Sequence, residues 1–421
     1  DRARAGEPAR VPGVRRADLR LLSEPGFRRL WLARTISLLG SALSPVALAF
    51  GVLDLPGAGP KDLAYVLTAQ TATTLATVLF GGVLGDRFPR TRMLMLGEGL
   101  AGVSVGATAA LFLTGRATTG LLVPLGALAG AGAGVLAPIL GGLVPETVTR
   151  DRLQSANALL TFSRATVQIG GAALAGVLVA TVGPGWTLSI DAASFAIGIA
   201  IVAGLPASRT EREPSRMLAD LKEGWRGFLS FPWIWGSTLA ATIWLGAYSP
   251  AFSVLGPVVA KASLGGAKAW ATVLAGVPIG SVLGTVVATR IRPKRPMVVV
   301  LLMMEPSALL IALLAIPASV PLLVVAAMVL GVSFSVLGVL WSTLLQVHVP
   351  PDLLSRVTAI DYLGSAAAMP IGTALIGTLA ATVGARPTLI GATVVIVLSG
   401  VGGLLVRDVW RIGLEKAPAN P

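Results

Sequence analysis

The chain has 421 residues, of which 54% are hydrophobic and only 13% charged, and its mean hydropathy is +0.81. A water-soluble globule of this length would have too little polar surface to cover itself, so the solvent implied is lipid. The formal net charge of +13 is scattered over many short segments, which argues against a nucleic-acid-binding face; there is no cysteine for disulfide or thiol chemistry, and a single histidine, His348, argues against a metal site.

Residues 1–29 read as a cytoplasmic N-terminal tail, whose Arg-, Gly- and Pro-containing run 1–20 lacks a signal-peptide apolar stretch and is expected to be disordered. Twelve apolar stretches follow, each long enough to cross roughly 30 Å of hydrocarbon. They are predicted at 30–52, 64–85, 93–114, 121–143, 153–182 and 186–205, then at 233–259, 269–288, 297–316, 322–345, 354–383 and 389–406. Spans five and eleven are longer than a bilayer needs, so their first turns are expected to stand in water or the spans to tilt. The linker 206–232 is charged at its start. Met217, Leu218, Leu221, Trp225, Phe228 and Leu229 then recur at helical spacing, which fits either a helix on the inner membrane surface or simple packing beneath the bundle. Residues 407–421 form a second cytoplasmic tail.

Charge orients these spans. With the N-terminus inside, most of the 33 Lys and Arg fall in inside segments, and the outside loops hold only Lys61, Arg116, Lys261, Lys268 and Arg386. This is the positive-inside pattern, and twelve crossings put both termini in the cytoplasm. The chain also repeats itself. The segment from Gly171, GAALAGVLVATVGPGWTL, aligns with GTALIGTLAATVGARPTL from Gly372 at eleven of eighteen positions. The expected organisation is therefore two parallel six-helix halves, 30–205 and 233–406, with a substrate site near the midplane between them.

The loop after span two sharpens the reading. Gly82-Val83-Leu84-Gly85-Asp86-Arg87-Phe88-Pro89-Arg90-Thr91-Arg92 resembles the G-x-x-x-D-R-x-G-R-[KR] signature of the major facilitator superfamily, with Pro89 in place of the usual glycine and Thr91 interrupting the basic pair. Phe27-Arg28-Arg29-Leu30-Trp31, Asp191-Ala192-Ala193-Ser194-Phe195 and Gln346-Val347-His348-Val349-Pro350-Pro351 extend the resemblance along the chain, and together they look most like the branch with bacterial enterobactin and macrolide exporters. The resemblance implies an all-α membrane protein in the bacterial plasma membrane, working as a monomer by alternating access. It also implies that Asp86 meets the first turn of span eleven as a gate, where free N–H groups and the helix dipole favour an acid. Arg87, Arg90 and Arg92 would pair with Glu146 or with lipid phosphate, or merely enforce topology.

Charges inside spans cost roughly 2.5 to 3.5 kcal/mol each at a helix centre on insertion scales, so they mark function or deliberate pairing. Counting about 1.5 Å per residue, Arg34 lies about 6 Å deep in span one and Asp361 about 10 Å deep in span eleven, with Arg164 and Glu305 near the midplane. The resemblance makes spans one, four, seven and ten line the cavity, two, five, eight and eleven the interface, and the others supports. Arg34, Arg164 and Asp361 are therefore the stronger functional candidates, while Glu98, Asp191 and Glu305 read more readily as charges paired between helices. Span one carries no acid where many proton-driven exporters have one, only Ser37, Ser41 and Ser44 around Pro45. Span five has Ala172 where superfamily antiporters usually have proline. An apolar cavity with polar points at Ser37, Ser41, Trp244, Tyr248, Ser335, Trp341 and Gln346 suits a bulky amphiphile.

No catalytic constellation or Walker sequence is present, so no enzyme activity and no cofactor are expected. The leading expectation is a proton-coupled exporter of hydrophobic or amphiphilic small molecules: drug, macrolide, siderophore or secondary metabolite. The alternatives are a facilitator or importer of a metabolite or lipid, and a non-transporting sensor or scaffold.

Overall fold

A computed structural model describes residues 18–204 and 217–414. Among them every long element is a helix. Spans one to six are Pro25–Leu53, Pro60–Arg87, Arg90–Leu113, Thr119–Thr147, Leu153–Thr181 and Gly183–Val202. Spans seven to twelve are Pro232–Leu264, Ala267–Arg290, Pro296–Ala315, Val320–His348, Pro351–Val383 and Ala385–Leu404. Eleven are long and apolar enough to cross a membrane by length and composition, and Pro60–Arg87 is the remaining long helix. The fold is thus the twelve-span bundle expected. Most observed helices start a few residues before the apolar stretches because proline opens them: Pro25, Pro232, Pro296 and Pro351 occupy first-turn positions, where a missing N–H has no intrahelical partner to lose.

Proline also interrupts. Span one is two helices, Pro25–Ser41 and Ser44–Leu53, with Pro45 in the first turn of the second. Span nine breaks between Leu302 and Pro306, and span eleven between Ala366 and Met369 ahead of Pro370. A proline lacks the ladder N–H and crowds the carbonyl four residues back, so the backbone there turns instead of continuing. Span seven widens into π turns at Ala251–Leu255 and Ala260–Leu264, then ends on Gly265 at φ 98° and Gly266 at φ 83°, a left-handed corner that side chains avoid. Span five, by contrast, runs unbroken from Leu153 to Thr181.

The same partners recur in both sets of six. Span two packs on four, three on six and one on six; correspondingly eight packs on ten, nine on twelve and seven on twelve. Two of these seams need glycine. A methyl at Gly130 would lie 2.1 Å from the Gln70 carbonyl oxygen, and one at Gly280 would lie 1.9 Å from that of Met328, so the helices touch backbone to backbone.

Across the two sets, span five packs on eight, and span two on the second helix of eleven. Their closest points lie at the end of the bundle with few charges. Gly176 meets Ala271 and Lys268, Gly377 meets Ala64 and Lys61, and Lys261 donates to the Leu53 carbonyl at 2.5 Å while its Nζ sits 2.6 Å from Asp54 Oδ1. At the arginine-rich end, the first helix of span eleven packs, among the described residues, on span seven and the amphipathic helix of its own set. That helix, Met217–Leu229, is the described part of the linker; residues 205–216 lie outside the described residues.

Candidate functional site

Three polar groupings are built inside the bundle. In the first, the Arg34 guanidinium of span one reaches Glu98 Oε1 of span three at 3.4 Å. Glu98 is completely buried, and its Oε2 faces Gly198 of span six, where a Cβ would come within 2.8 Å of it and 2.5 Å of Ser37 Oγ. The missing side chain makes the slot that the carboxylate fills. Ser37 is likewise buried against this slot. Trp31 donates its indole N–H to Ser163 Oγ at 2.8 Å, tying span one to span five at the residue before Arg164. Arg164 itself is exposed, yet near enough for its charge to act on Arg34.

The second grouping lies at the break in span one. Asp191 of span six is buried; its Oδ2 accepts the Ser44 hydroxyl and its Oδ1 a 3.4 Å bond from Ser194. Ser44 opens the second helix of the span, so the acid stands at a helix start, where dipole and unpaired N–H groups favour negative charge. Gly40 allows this approach, since a Cβ there would be 2.6 Å from Asp191 Oδ1. Ser41, partly buried, is beside the break.

The third grouping is centred on Asp361. Its Oδ1 accepts the Thr238 hydroxyl of span seven at 2.6 Å and its Oδ2 the Trp341 indole N–H of span ten at 2.9 Å. Trp341 stands edge-on to Trp233 at 5.6 Å, and Trp233 edge-on to His348 at 5.8 Å. One turn along, Thr242 donates to the Gly364 carbonyl at 2.9 Å, so spans seven and eleven are laced by two threonines. Both bonds to Asp361 are accepted, which is what an ionised carboxylate can do; a proton on either oxygen turns one acceptor into a donor.

The aromatic residues of span seven form a packed ladder. Trp244 stacks on Tyr248 at 5.8 Å and Tyr248 on Phe252 at 5.8 Å, with Phe334 of span ten edge-on to both of the first two at 5.7 Å. Trp244 donates to Ser307 of span nine at 2.8 Å. Trp244 and Tyr248 are buried in this ladder, where ring quadrupoles favour offset and edge contacts, rather than standing in an open cavity. Ser335 spends its hydroxyl on the Ser281 carbonyl at 2.7 Å, and Gln346 is exposed.

Glu305 sits at the break in span nine against Gly400 of span twelve, where a Cβ would be 1.9 Å from its Oε1; that oxygen has no hydrogen-bond partner among the described residues. Near the arginine-rich end, Arg90 pairs with Glu146 at 2.9 Å, joining the start of span three to the end of span four, and Arg92 is exposed. The helix of span two continues through Gly82, Asp86 and Arg87, whose side chains lie outside the described residues. No cluster of three metal-ligating side chains occurs among the described residues. Thr238, Thr242 and Phe334 were not singled out by sequence: a hydroxyl 123 positions from its carboxylate leaves no local pattern.

The profile of transmembrane secretion effectors matches residues 17–411. The enterobactin exporters of Shigella boydii serotype 18 and Escherichia coli O139:H28 are each 26% identical over 366 residues, covering 86% of this chain and 86% of theirs. Among solved structures, a bacterial homologue of the human lysosomal transporter Spinster, in an inward-facing and unoccupied conformation, superposes with TM-score 0.72 at 13% identity, over 97% of this chain and 100% of that one. The nucleoside transporter NupG gives 0.74 at 14% identity, over 91% and 100%. These two likenesses establish the fold.

Proposed function

Because the chain belongs to the transmembrane secretion effector family of the major facilitator superfamily, we propose that it exports hydrophobic or amphiphilic small molecules from a bacterial cytoplasm by proton-coupled alternating access. Both termini are cytoplasmic in this reading, the plasma membrane is the site of action, and the unit is a monomer. The two sets of six, joined through the linker 206–232, are the moving bodies. Their contacts at the sparsely charged end support reading that end as the closed outer gate, with the arginine-rich end as the inner mouth.

The observation that carries the reading is the position of Asp361. It lies on the first helix of span eleven, bonded to spans seven and ten, while the second helix beyond the break packs on span two of the other set. Protonation exchanges an accepted bond for a donated one at the joint between a part that stays and a part that must separate. Asp191, beside the break in span one, is the reserve, and Arg34 with Glu98 and Arg164 is the charged set of the first six. Asp86 remains the proposed inner gate, with Arg87 and the Arg90–Glu146 pair fixing its loop. Similarity to enterobactin exporters supports including enterobactin with drugs and macrolides in the panel of compounds to be tested.

The test is efflux from proteoliposomes under an imposed pH gradient, with that panel. The parent should accumulate at least one compound against its gradient. Asp361→Asn should lose the pH-driven component while keeping energy-independent counterflow. Uphill transport by Asp361→Asn, Asp191→Asn and their double variant at the parent's rate would remove proton coupling through these acids.

A further inference from the structure

A cavity of about 490 Å³ opens on the flank of the second set of six, between the amphipathic helix Met217–Leu229, span seven and the first helix of span eleven. Trp225 and Phe228 form one wall, Trp235 and Leu239 another, and Ile360 the back. The two polar residues in the wall have their hydroxyls engaged: Thr238 reaches Asp361 and the Ile234 carbonyl, and Thr242 shares its one proton between the carbonyls of Thr238 and Gly364. What remains is hydrocarbon and aromatic surface, in the size range of ligand pockets, roughly 300 to 1,000 Å³. Its mouth is open sideways, since Trp225 is 52% and Leu239 57% exposed.

Beside the mouth the helix carries two basic side chains. On the amphipathic helix Lys222, Trp225, Arg226 and Leu229 stand at i, i+3, i+4 and i+7 and form one exposed face. Glu223, the exposed acid on this helix, is engaged by Arg356 at 2.9 Å. Lys222 and Arg226 have no acid partner among the described residues. A dry slot for a hydrocarbon chain next to two unpaired cations is complementary to a molecule with an acyl chain and an anionic head at the same depth, which an amphipathic helix at a bilayer surface meets in the adjoining leaflet. A soluble anion would leave the slot empty, and a neutral oil would leave the cations unused.

We propose that this flank is a binding site for one anionic phospholipid, with an acyl chain in the cavity and the phosphate on Lys222 and Arg226. It rests on the membrane-spanning fold and not on the transport cycle, so lipid binding is read without flux. Full-length protein is equilibrated in vesicles of equal parts phosphatidylglycerol and phosphatidylcholine with matched chains, extracted in mild detergent, and examined for retained lipid by native mass spectrometry. The parent should retain one phosphatidylglycerol, preferred about tenfold over phosphatidylcholine, the scale set by one or two basic residues near anionic headgroups. Lys222→Gln with Arg226→Gln should keep a lipid but bring the preference to about twofold or less on the same scale. Leu239→Trp, which enlarges an exposed side chain at the mouth, should lower retention of both lipids about fivefold or more by filling the slot. Equal retention of the two lipids by the parent, an unchanged preference in the charge variant, or unchanged retention in the filled variant would each overturn the site.

Discussion

Thr238 has two tasks, a side of the flank cavity and a donor to Asp361, and removing its hydroxyl separates them. Thr238→Val keeps the shape but leaves a buried carboxylate one donor short, which destabilises by roughly 1 to 3 kcal/mol. The expected result is a lower melting temperature of the purified protein in detergent, recovered by Thr238→Ser; equal melting of Val, Ser and parent would mean that the bond is idle. Gly198 is the corresponding test of the Glu98 slot. Gly198→Ala should overpack the site by about 1 to 3 kcal/mol, and adding Ser37→Ala, which removes the atom 2.5 Å from the new methyl, should recover part of that loss. A double variant no better than the single one would place the strain elsewhere. At this scale the sequence identified which residues carry charge in an apolar setting, because composition alone exposes them. It could not pair them: Arg34 and Glu98 are 64 positions apart, Thr238 and Asp361 123, and only the packed bundle brings them together.

Helices were the most legible feature, since a run of apolar residues long enough to cross a bilayer has no cheaper conformation in lipid than a hydrogen-bonded helix. Their interruptions were less so. Pro45 and Pro370 coincide with breaks, yet span four runs on through Pro124, Pro138 and Pro145 and span eight through Pro278. Proline removes one ladder bond wherever it falls; whether the helix then parts depends on what the neighbours offer the freed carbonyl, a tertiary fact. Glycine seams are similar: spans four and eight both carry several glycines, and only the structure shows that Gly130 and Gly280 sit where two backbones meet. Gly280→Leu should force that pair apart and lower the folded yield and melting temperature sharply, more than Gly391→Leu on span twelve, where a side chain meets nothing within 4 Å. Comparable behaviour of the two variants would refute backbone-to-backbone packing as the reason for the glycine.

For the molecule as a whole, the proposed topology rests on the charge pattern, and a reporter fused after Arg411 should report cytoplasm while one inserted at Gly265 reports the outside. Reporters on one side would exclude an odd number of crossings between them. Which end is closed was not legible, because two arrangements of the same rigid halves satisfy one hydropathy pattern. The absence of cysteine makes the closed end testable. Gly176→Cys with Lys268→Cys, and separately Lys61→Cys with Gly377→Cys, join positions whose backbones nearly touch across the two sets. Oxidation should stop flux and reduction restore it; oxidised protein that still transports at the parent's rate would show that this end need not part. Among the described residues the broken spans are unevenly shared, one in the first set of six and two, spans nine and eleven, in the second, where span seven also widens into π turns. A bilayer therefore holds one stiff jaw and one compliant jaw. In the proposed cycle deformation would concentrate in the compliant one, and backbone amides around 303–305 and 367–368 should exchange with deuterium faster than those at mid-depth in spans three and five.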